Sequence, residues 1–183
     1  HQAALKANRQ RAYDDFYAVA EQLVADGVTK RERLGIRGGS NGGLLVGNAL
    51  VQRPELWGAV VCSVPLLDMR RYHILLAGAS WMAEYGDPDT ADWSYLQAYS
   101  PYHRVDPSVA YPPVLFTTST KDDRVHPAHA RKMVKRMLES GKGETSHYYE
   151  NIEGGHGGAA DSKQAAFMST LVYKFLWNTL SKQ

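Results

Sequence analysis

The sequence has few of the features that mark disulfide-rich, membrane-spanning or nucleic-acid-binding proteins. It contains one cysteine, Cys62, so a disulfide within the chain is excluded. This thiol lies in an apolar run and is expected to be buried and unreactive. No apolar stretch reaches the roughly 18 residues that a membrane span requires. The formal charge of +2 is too small to indicate a polyanionic partner, so we expect neither a nucleic-acid nor a membrane partner.

The N-terminal residues lack the apolar block of a secretory signal peptide. The chain begins with His1 rather than Met, so this absence says little about the compartment if the sequence belongs to a longer one. We expect a cytoplasmic protein, and a periplasmic location is the alternative.

The length and composition predict one globular unit. A chain of 183 residues, 44% hydrophobic and 22% charged, is long enough to enclose one substantial core. No repeat, low-complexity tract or linker divides it. We therefore treat residues 1–183 as a single domain.

Helical and strand patterns alternate along the chain. Helices are predicted over residues 13–24, 42–52, 127–139 and 162–180. Strands are predicted over residues 34–36, 57–64, 113–118 and 146–150. The second and third strands are apolar on both faces, which is typical of parallel sheets. The alternation predicts an α/β fold, a parallel sheet with helices on both faces. Residues 68–112, rich in aromatic residues and prolines, are expected to cover one end of the sheet.

The most specific motif is the G-x-S-x-G at residues 38–42, between a predicted strand and a predicted helix. A nucleophile elbow requires this context, with Ser40 exposed on a strained turn and glycines on either side to avoid clashes. Asn41 would offer its backbone N–H to an oxyanion. A plain tight turn is the alternative interpretation, whereas the glycine patterns of phosphate-binding loops do not occur.

A nucleophilic serine needs a histidine base and an acid that orients it. Among seven histidines, His156 is the best candidate, because it lies in a glycine-rich loop after the last predicted strand. Asp122, in the loop after the third strand, is the favoured acid. Asp123 and Asp68 are the alternatives, the latter because it follows the second strand.

Two other histidines have a spacing that suits a metal. His126 and His129 are three residues apart on a predicted helix and would share one face. No carboxylate or third ligand accompanies them, so we expect no metal site.

Four segments together resemble the prolyl oligopeptidase family of serine peptidases. They are Gly-Gly-Ser-Asn-Gly-Gly (38–43), Gln-Arg-Pro-Glu-Leu (52–56), Asp-Asp-Arg-Val (122–125) and Gly-Gly-His-Gly (154–157). The resemblance spans nearly the whole chain and implies the later part of an α/β-hydrolase catalytic domain. The family's β-propeller and the first strands of its sheet have no counterpart here.

The resemblance also implies roles for individual residues. Ser40, Asp122 and His156 would form the catalytic triad, and the backbone of Asn41 would form half of the oxyanion hole. The other half, normally a tyrosine hydroxyl that precedes this segment, is missing, which leaves the activity of the chain on its own in question.

The expected specificity follows from the same resemblance. Trp81 and Tyr85 would line a proline-sized pocket with Leu66 and Val125, and Arg124 would hold a substrate carbonyl upstream of the scissile bond. Ordinary packing is the alternative for Trp81 and Tyr85.

The expected function is therefore an oligopeptidase that cleaves proline-containing peptides on the carboxyl side of proline, without a cofactor. Related enzymes are the alternatives: an oligopeptidase B type that cleaves after basic residues, an acylaminoacyl peptidase, or an esterase. For the first, Glu84 is the one carboxylate expected near the pocket. A non-catalytic fragment that self-associates through an exposed sheet edge is a further alternative.

Overall fold

Four parallel strands form the centre of the structure, a computed structural model that describes residues 2–181. The strands are β1 (Gly35–Gly39), β2 (Ala59–Ser63), β3 (Val114–Ser119) and β4 (Ser146–Asn151), which lie in this order across the sheet. Each strand pairs in parallel with the next strand along the chain. Every connection therefore crosses over one face of the sheet.

Seven α-helices accompany the strands in the described part of the chain. They are α1 (Gln10–Ala25), α2 (Asn41–Gln52), α3 (Met82–Tyr85), α4 (Trp93–Leu96), α5 (Pro101–Arg104), α6 (Ala128–Glu139) and α7 (Ser162–Leu180). All four predicted helices and all four predicted strands are present, with small changes at their ends. Among residues 2–181, no helix combines the length and the hydrophobicity of a membrane span.

Alternating side chains of the buried strands explain why helices cover both faces. Val60 and Phe116 belong to the main core, which includes buried residues of α1, α2 and α6. Val61 and Leu115 point the other way and pack with Val172 of α7. The predicted α/β architecture is confirmed, and two apolar faces account for strands without polar alternation.

The single cysteine lies within this core. The Cys62 side chain is fully buried and its Sγ donates to the carbonyl of Gly43 at 3.3 Å. Burial raises the pKa of the Cys62 thiol. The expected burial of the thiol is confirmed, and its raised pKa agrees with the expected low reactivity.

The segment between β2 and β3 contains α3, α4 and α5 and is anchored on α2. The buried side chain of Asn48 donates to the carbonyl of Tyr99 at 3.1 Å. The backbone N–H of Met69 donates to Ser100 Oγ at 3.0 Å. The first bond attaches the segment to α2, and the second closes the segment on itself.

Candidate active site

Ser40 occupies the turn between β1 and α2 with a strained backbone. Its φ of 57° and ψ of −116° lie in a region that residues with a side chain rarely adopt. The N–H of Ser40 donates to the carbonyl of Ser63 at 3.0 Å, and its carbonyl accepts from Leu44 at 3.1 Å. Sheet and helix thus fix both sides of the turn, which is the geometry of a nucleophile elbow.

The two glycines of the motif have different steric surroundings. A Cβ at Gly38 would lie 2.1 Å from the carbonyl oxygen of Gly42. A Cβ at Gly42 would meet no atom within 4 Å beyond its own helix and neighbours. The expectation that both positions must be glycine is therefore right for Gly38 and wrong for Gly42, whose Cβ position faces open space.

His156 and Asp122 form a hydrogen-bonded pair. The Nδ1 atom of His156 lies 3.0 and 2.9 Å from the two carboxylate oxygens of Asp122. Asp122 is buried, and its Oδ1 also accepts the backbone N–H groups of Arg124 and Val125, both at 2.9 Å. These bonds orient the carboxylate, and they assign the imidazole proton to Nδ1, which leaves Nε2 free to act as a base.

The three residues lie at the end of the sheet where the strands have their carboxyl termini. Ser40 directly follows β1, Asp122 follows β3 and His156 follows β4. Because all strands are parallel, their carboxyl ends lie at the same end of the sheet. The topology thus places Ser40 at the same end of the sheet as the hydrogen-bonded Asp122–His156 pair, although the three residues are far apart in sequence.

The loop that carries His156 is braced by Asn151, which the sequence analysis missed. Asn151 Oδ1 accepts the N–H groups of Glu153 and Gly154, both at 3.0 Å, and its Nδ2 donates to the carbonyl of Gly158 at 3.1 Å. One buried side chain therefore holds both ends of the glycine-rich loop. An asparagine between a strand and a glycine-rich loop was the available signal.

The other proposed acids are engaged differently. Asp68 is buried and forms an ion pair with Lys132 of α6. Burial alone would raise the pKa of Asp68, but the ion pair with Lys132 and the nearby rings of His103 and His129 together lower it. Asp123 is exposed. Of the three candidates, Asp122 is the carboxylate that contacts His156.

A cavity of about 190 Å³ opens beside Ser40. Its lining residues are Ser40, Asn41, Leu66, Trp81, Glu84, Tyr85, Arg124 and Val125. All five residues predicted for the specificity pocket therefore lie around one cavity. Trp81 is half-buried and packs on the core as well as lining the cavity, so packing and pocket lining are combined there.

A buried arginine behind the cavity wall was also missed. Arg9 Nη1 lies 2.5 Å from Glu84 Oε1, and Nη2 donates to Asn41 Oδ1 at 2.8 Å. The hydroxyl of Tyr85 donates to the same Asn41 oxygen at 2.6 Å, and burial raises the pKa of that hydroxyl. Arg9 therefore connects the elbow to α3. It precedes α1, and no local pattern links it to the site.

His126 and His129 both accept hydrogen bonds from backbone N–H groups. Buried His129 accepts the N–H groups of Leu67 and Asp68 at its Nδ1, at 3.3 and 3.0 Å, and burial lowers its pKa to about 4. The Nδ1 of His126 accepts the N–H of Ala128 at 3.0 Å. Both rings thus organise backbone around α6.

A different group of potential ligand atoms lies on the covering segment. One ligand atom each from His73, Asp87 and Asp89 lie within 4.8 Å of one another. Arg70 Nη1 lies 3.3 Å from Asp89 Oδ1, so a cationic side chain already contacts this group. We interpret it as a surface ion-pair cluster.

Comparison with known proteins identifies the family. The model of the prolyl oligopeptidase family matches residues 1–183. The chain belongs to the prolyl oligopeptidase family. Uncharacterized peptidase y4nA of Sinorhizobium fredii is 54% identical over 181 residues, which cover 98% of this chain and 25% of that protein. The prolyl endopeptidase of Dictyostelium discoideum is 41% identical over 139 residues, which cover 75% of this chain and 18% of that protein.

A solved member of the prolyl oligopeptidase family has the same fold. The structure of a post-proline cleaving enzyme from Rickettsia typhi aligns with a TM-score of 0.92 and 43% identity, covering 99% of this chain and 26% of that one. The predicted family and its α/β-hydrolase fold are confirmed. The chain spans about a quarter of the length of y4nA and of the Rickettsia enzyme.

Proposed function

We propose that residues 1–183 form part of one catalytic domain of a serine peptidase that cleaves short peptides on the carboxyl side of proline. The observation that carries this proposal is the hydrogen-bonded Asp122–His156 pair at the end of the sheet where Ser40 occupies a strained elbow. A carboxylate, an imidazole and an elbow serine in this chain order are what acyl transfer requires.

The proposed mechanism uses two acyl-transfer steps. Ser40 attacks the peptide carbonyl while His156 Nε2 takes the hydroxyl proton and then gives it to the leaving amine. Asp122 keeps the imidazole in the required tautomer and stabilises the imidazolium. The backbone N–H of Asn41 stabilises the oxyanion. Water then attacks the acyl-enzyme and regenerates Ser40, and no step in this scheme uses a cofactor.

The proposed specificity rests on the cavity beside Ser40. At about 190 Å³, with the indole of Trp81 and the apolar side chains of Leu66 and Val125 in its wall, the cavity suits a compact pyrrolidine ring. We propose that Arg124, which lines the cavity, holds a substrate carbonyl just upstream of the scissile bond. The names of the relatives, prolyl endopeptidase and post-proline cleaving enzyme, support the same assignment.

Labelling with a fluorophosphonate probe tests the nucleophile. We expect the wild-type chain to be labelled and Ser40→Ala to remain unlabelled. Ser80→Ala, which removes an exposed serine of the covering segment, is the matched control and should be labelled like wild type. Labelling that persists in Ser40→Ala would contradict the assignment.

A second experiment separates a peptidase from an esterase. It compares the rates at which the protein hydrolyses an acyl-proline amide and a simple ester.

For the chain on its own, a second candidate function is self-association through the unpaired side of β1, the outer strand of the sheet. Among the described residues, β1 pairs with β2 alone, so its other edge carries no neighbouring strand. Tyr173 and Trp177 of α7 are 63% and 73% exposed. An unpaired edge and exposed aromatic side chains favour pairing with a second copy.

A further inference from the structure

We propose that Arg9 is a specificity-determining residue, which neutralises Glu84 in the cavity wall so that the cavity accepts an uncharged ring and rejects a cationic side chain. This inference rests on the proposed function, since it takes the cavity as the site for the substrate residue before the scissile bond.

Glu84 is the acidic residue among those that line the cavity. It lines the same space as Ser40, and its side chain is 27% exposed. A carboxylate in the wall of so small a cavity would by itself attract a lysine or arginine side chain. The apolar wall formed by Leu66 and Val125 therefore does not explain on its own why a neutral ring should be preferred.

Arg9 offsets this charge from behind the wall. Its side chain is 10% exposed and contacts Glu84 without lining the cavity. The bond to Asn41 Oδ1 and the ring of Tyr85, whose centroid lies 5.1 Å from the guanidinium carbon, fix the guanidinium in place. Because this ion pair is largely removed from water, its two charges compensate each other strongly at the cavity.

Arg124 adds a further positive charge. It also lines the cavity, so with Arg9 behind the wall two arginines and one glutamate lie at the cavity, and their formal charges sum to a positive value. Removing Arg9 would leave Glu84 and Arg124 in balance, whereas removing Glu84 would leave two positive charges. The two substitutions should therefore change the preferred ligand charge in opposite directions.

Binding of small ions tests this balance without catalysis. In a Ser40→Ala background, benzamidine and benzoate are titrated by tryptophan fluorescence, with competition by an N-acetylproline amide to locate the site. We expect Arg9→Gln to raise benzamidine affinity about tenfold or more, and Glu84→Gln to raise benzoate affinity similarly. The double substitution should return both affinities towards those of the parent.

Two results would overturn the proposal. One is equal benzamidine affinity in the parent and Arg9→Gln, and the other is a gain that persists in the double variant. If Arg9→Gln does not fold, Arg9→Met, which keeps an unbranched aliphatic side chain without the charge, is titrated in its place. Arg9→Lys retains the cation and should bind like the parent.

Peptidyl diphenyl phosphonates, which react with a nucleophilic serine, test the same charge effect through the rate at which they label Ser40. The ratio of labelling rates with lysine and proline next to the phosphorus should rise about tenfold or more in Arg9→Gln and stay low in Arg9→Lys. An equal slowing with both probes would instead assign Arg9 a purely structural role. Failure of every probe to label Ser40 would refute the proposed function, while the ion titrations would still decide the role of Arg9.

Discussion

At the scale of single residues, the strained backbone of Ser40 depends on a close approach between β1 and the first turn of α2. Gly38 lies where the two elements meet, and the atoms a side chain there would strike belong to the backbone of Gly42. Backbone atoms cannot rotate away as a flexible side chain can. The elbow therefore requires the absence of a side chain at Gly38 and tolerates one at Gly42.

This difference predicts opposite outcomes for two similar substitutions. Gly38→Ala should destabilise the fold by about 2 kcal/mol or more and abolish fluorophosphonate labelling, because the elbow must open to admit the methyl group. Gly42→Ala should keep the label and stabilise α2 slightly, as alanine does in a helix. Thermal unfolding and labelling rates measure both effects. A labelled, stable Gly38→Ala protein would contradict the steric argument.

Asp122 offers a second comparison of neighbouring residues. In Asp122→Asn the side chain no longer holds His156 in the tautomer that leaves Nε2 free, so labelling should slow by roughly 10²–10⁴. Asp123→Asn, which changes the exposed neighbour, should label at the wild-type rate. Stopped-flow labelling measures both rates, and unfolding curves show whether each variant is folded. Equal rates in the two variants would contradict the role given to Asp122.

Residues with a motif could be found from the sequence, and residues that act through distant contacts could not. The G-x-S-x-G pattern and the chain order identified Ser40 and His156. Arg9 escaped notice because its partners, Asn41 and Glu84, lie 32 and 75 residues away. Contacts of that separation depend on how α1 and the covering segment pack, and no local periodicity encodes that packing.

At the scale of elements, the sequence predicted which segments form helices and strands better than where each one ends. Apolar periodicity marked the buried strands, but it placed the end of the first strand at Ile36. The structure continues β1 to Gly39, because Gly38 and Gly39 pair with Cys62 and Ser63 of β2. Hydrogen bonding to a neighbouring strand decides this boundary, and glycine carries no hydrophobic signal for it.

Helix α6 is attached to the loop after β2 through a buried histidine. His129 accepts two backbone N–H groups of that loop at Nδ1, so its neutral form is required there. Burial, with a smaller effect from Lys132, lowers its pKa from 6.5 to about 4 although Asp68 opposes the shift. Between those pH values the unfolded chain binds a proton that the folded chain excludes, so stability falls as pH decreases.

The resulting prediction concerns the slope of stability against pH. The His129 contribution should lower the unfolding free energy by about 2 kcal/mol between pH 7.5 and pH 5. His129→Asn keeps an acceptor near the Nδ1 position without a titrating ring, so it should lose that part of the slope. Urea unfolding at both pH values measures it. An unchanged slope in His129→Asn would contradict this role of the buried ring.

At the scale of the whole molecule, one side of the sheet is less covered than the other. Near β1, α7 borders an open groove of about 820 Å³ that is lined mainly by its own residues. Tyr173 and Trp177 line this groove, and β1 lies close to it, since Leu176 and Leu180 of α7 lie next to Gly35. We propose that a second copy of the chain covers this groove and the unpaired side of β1.

Self-association of the isolated chain should therefore depend on α7. Sedimentation velocity over a range of concentrations should show a monomer–dimer equilibrium, and Tyr173→Glu with Trp177→Glu should raise its Kd by about tenfold or more, because charged side chains would have to be buried at the interface. Val19→Glu, which charges an exposed apolar position on α1, is the matched control and should leave the Kd unchanged. A wild-type chain that stays monomeric at every concentration would refute pairing through this surface. A dimer insensitive to the α7 substitutions would place the contact elsewhere on the molecule.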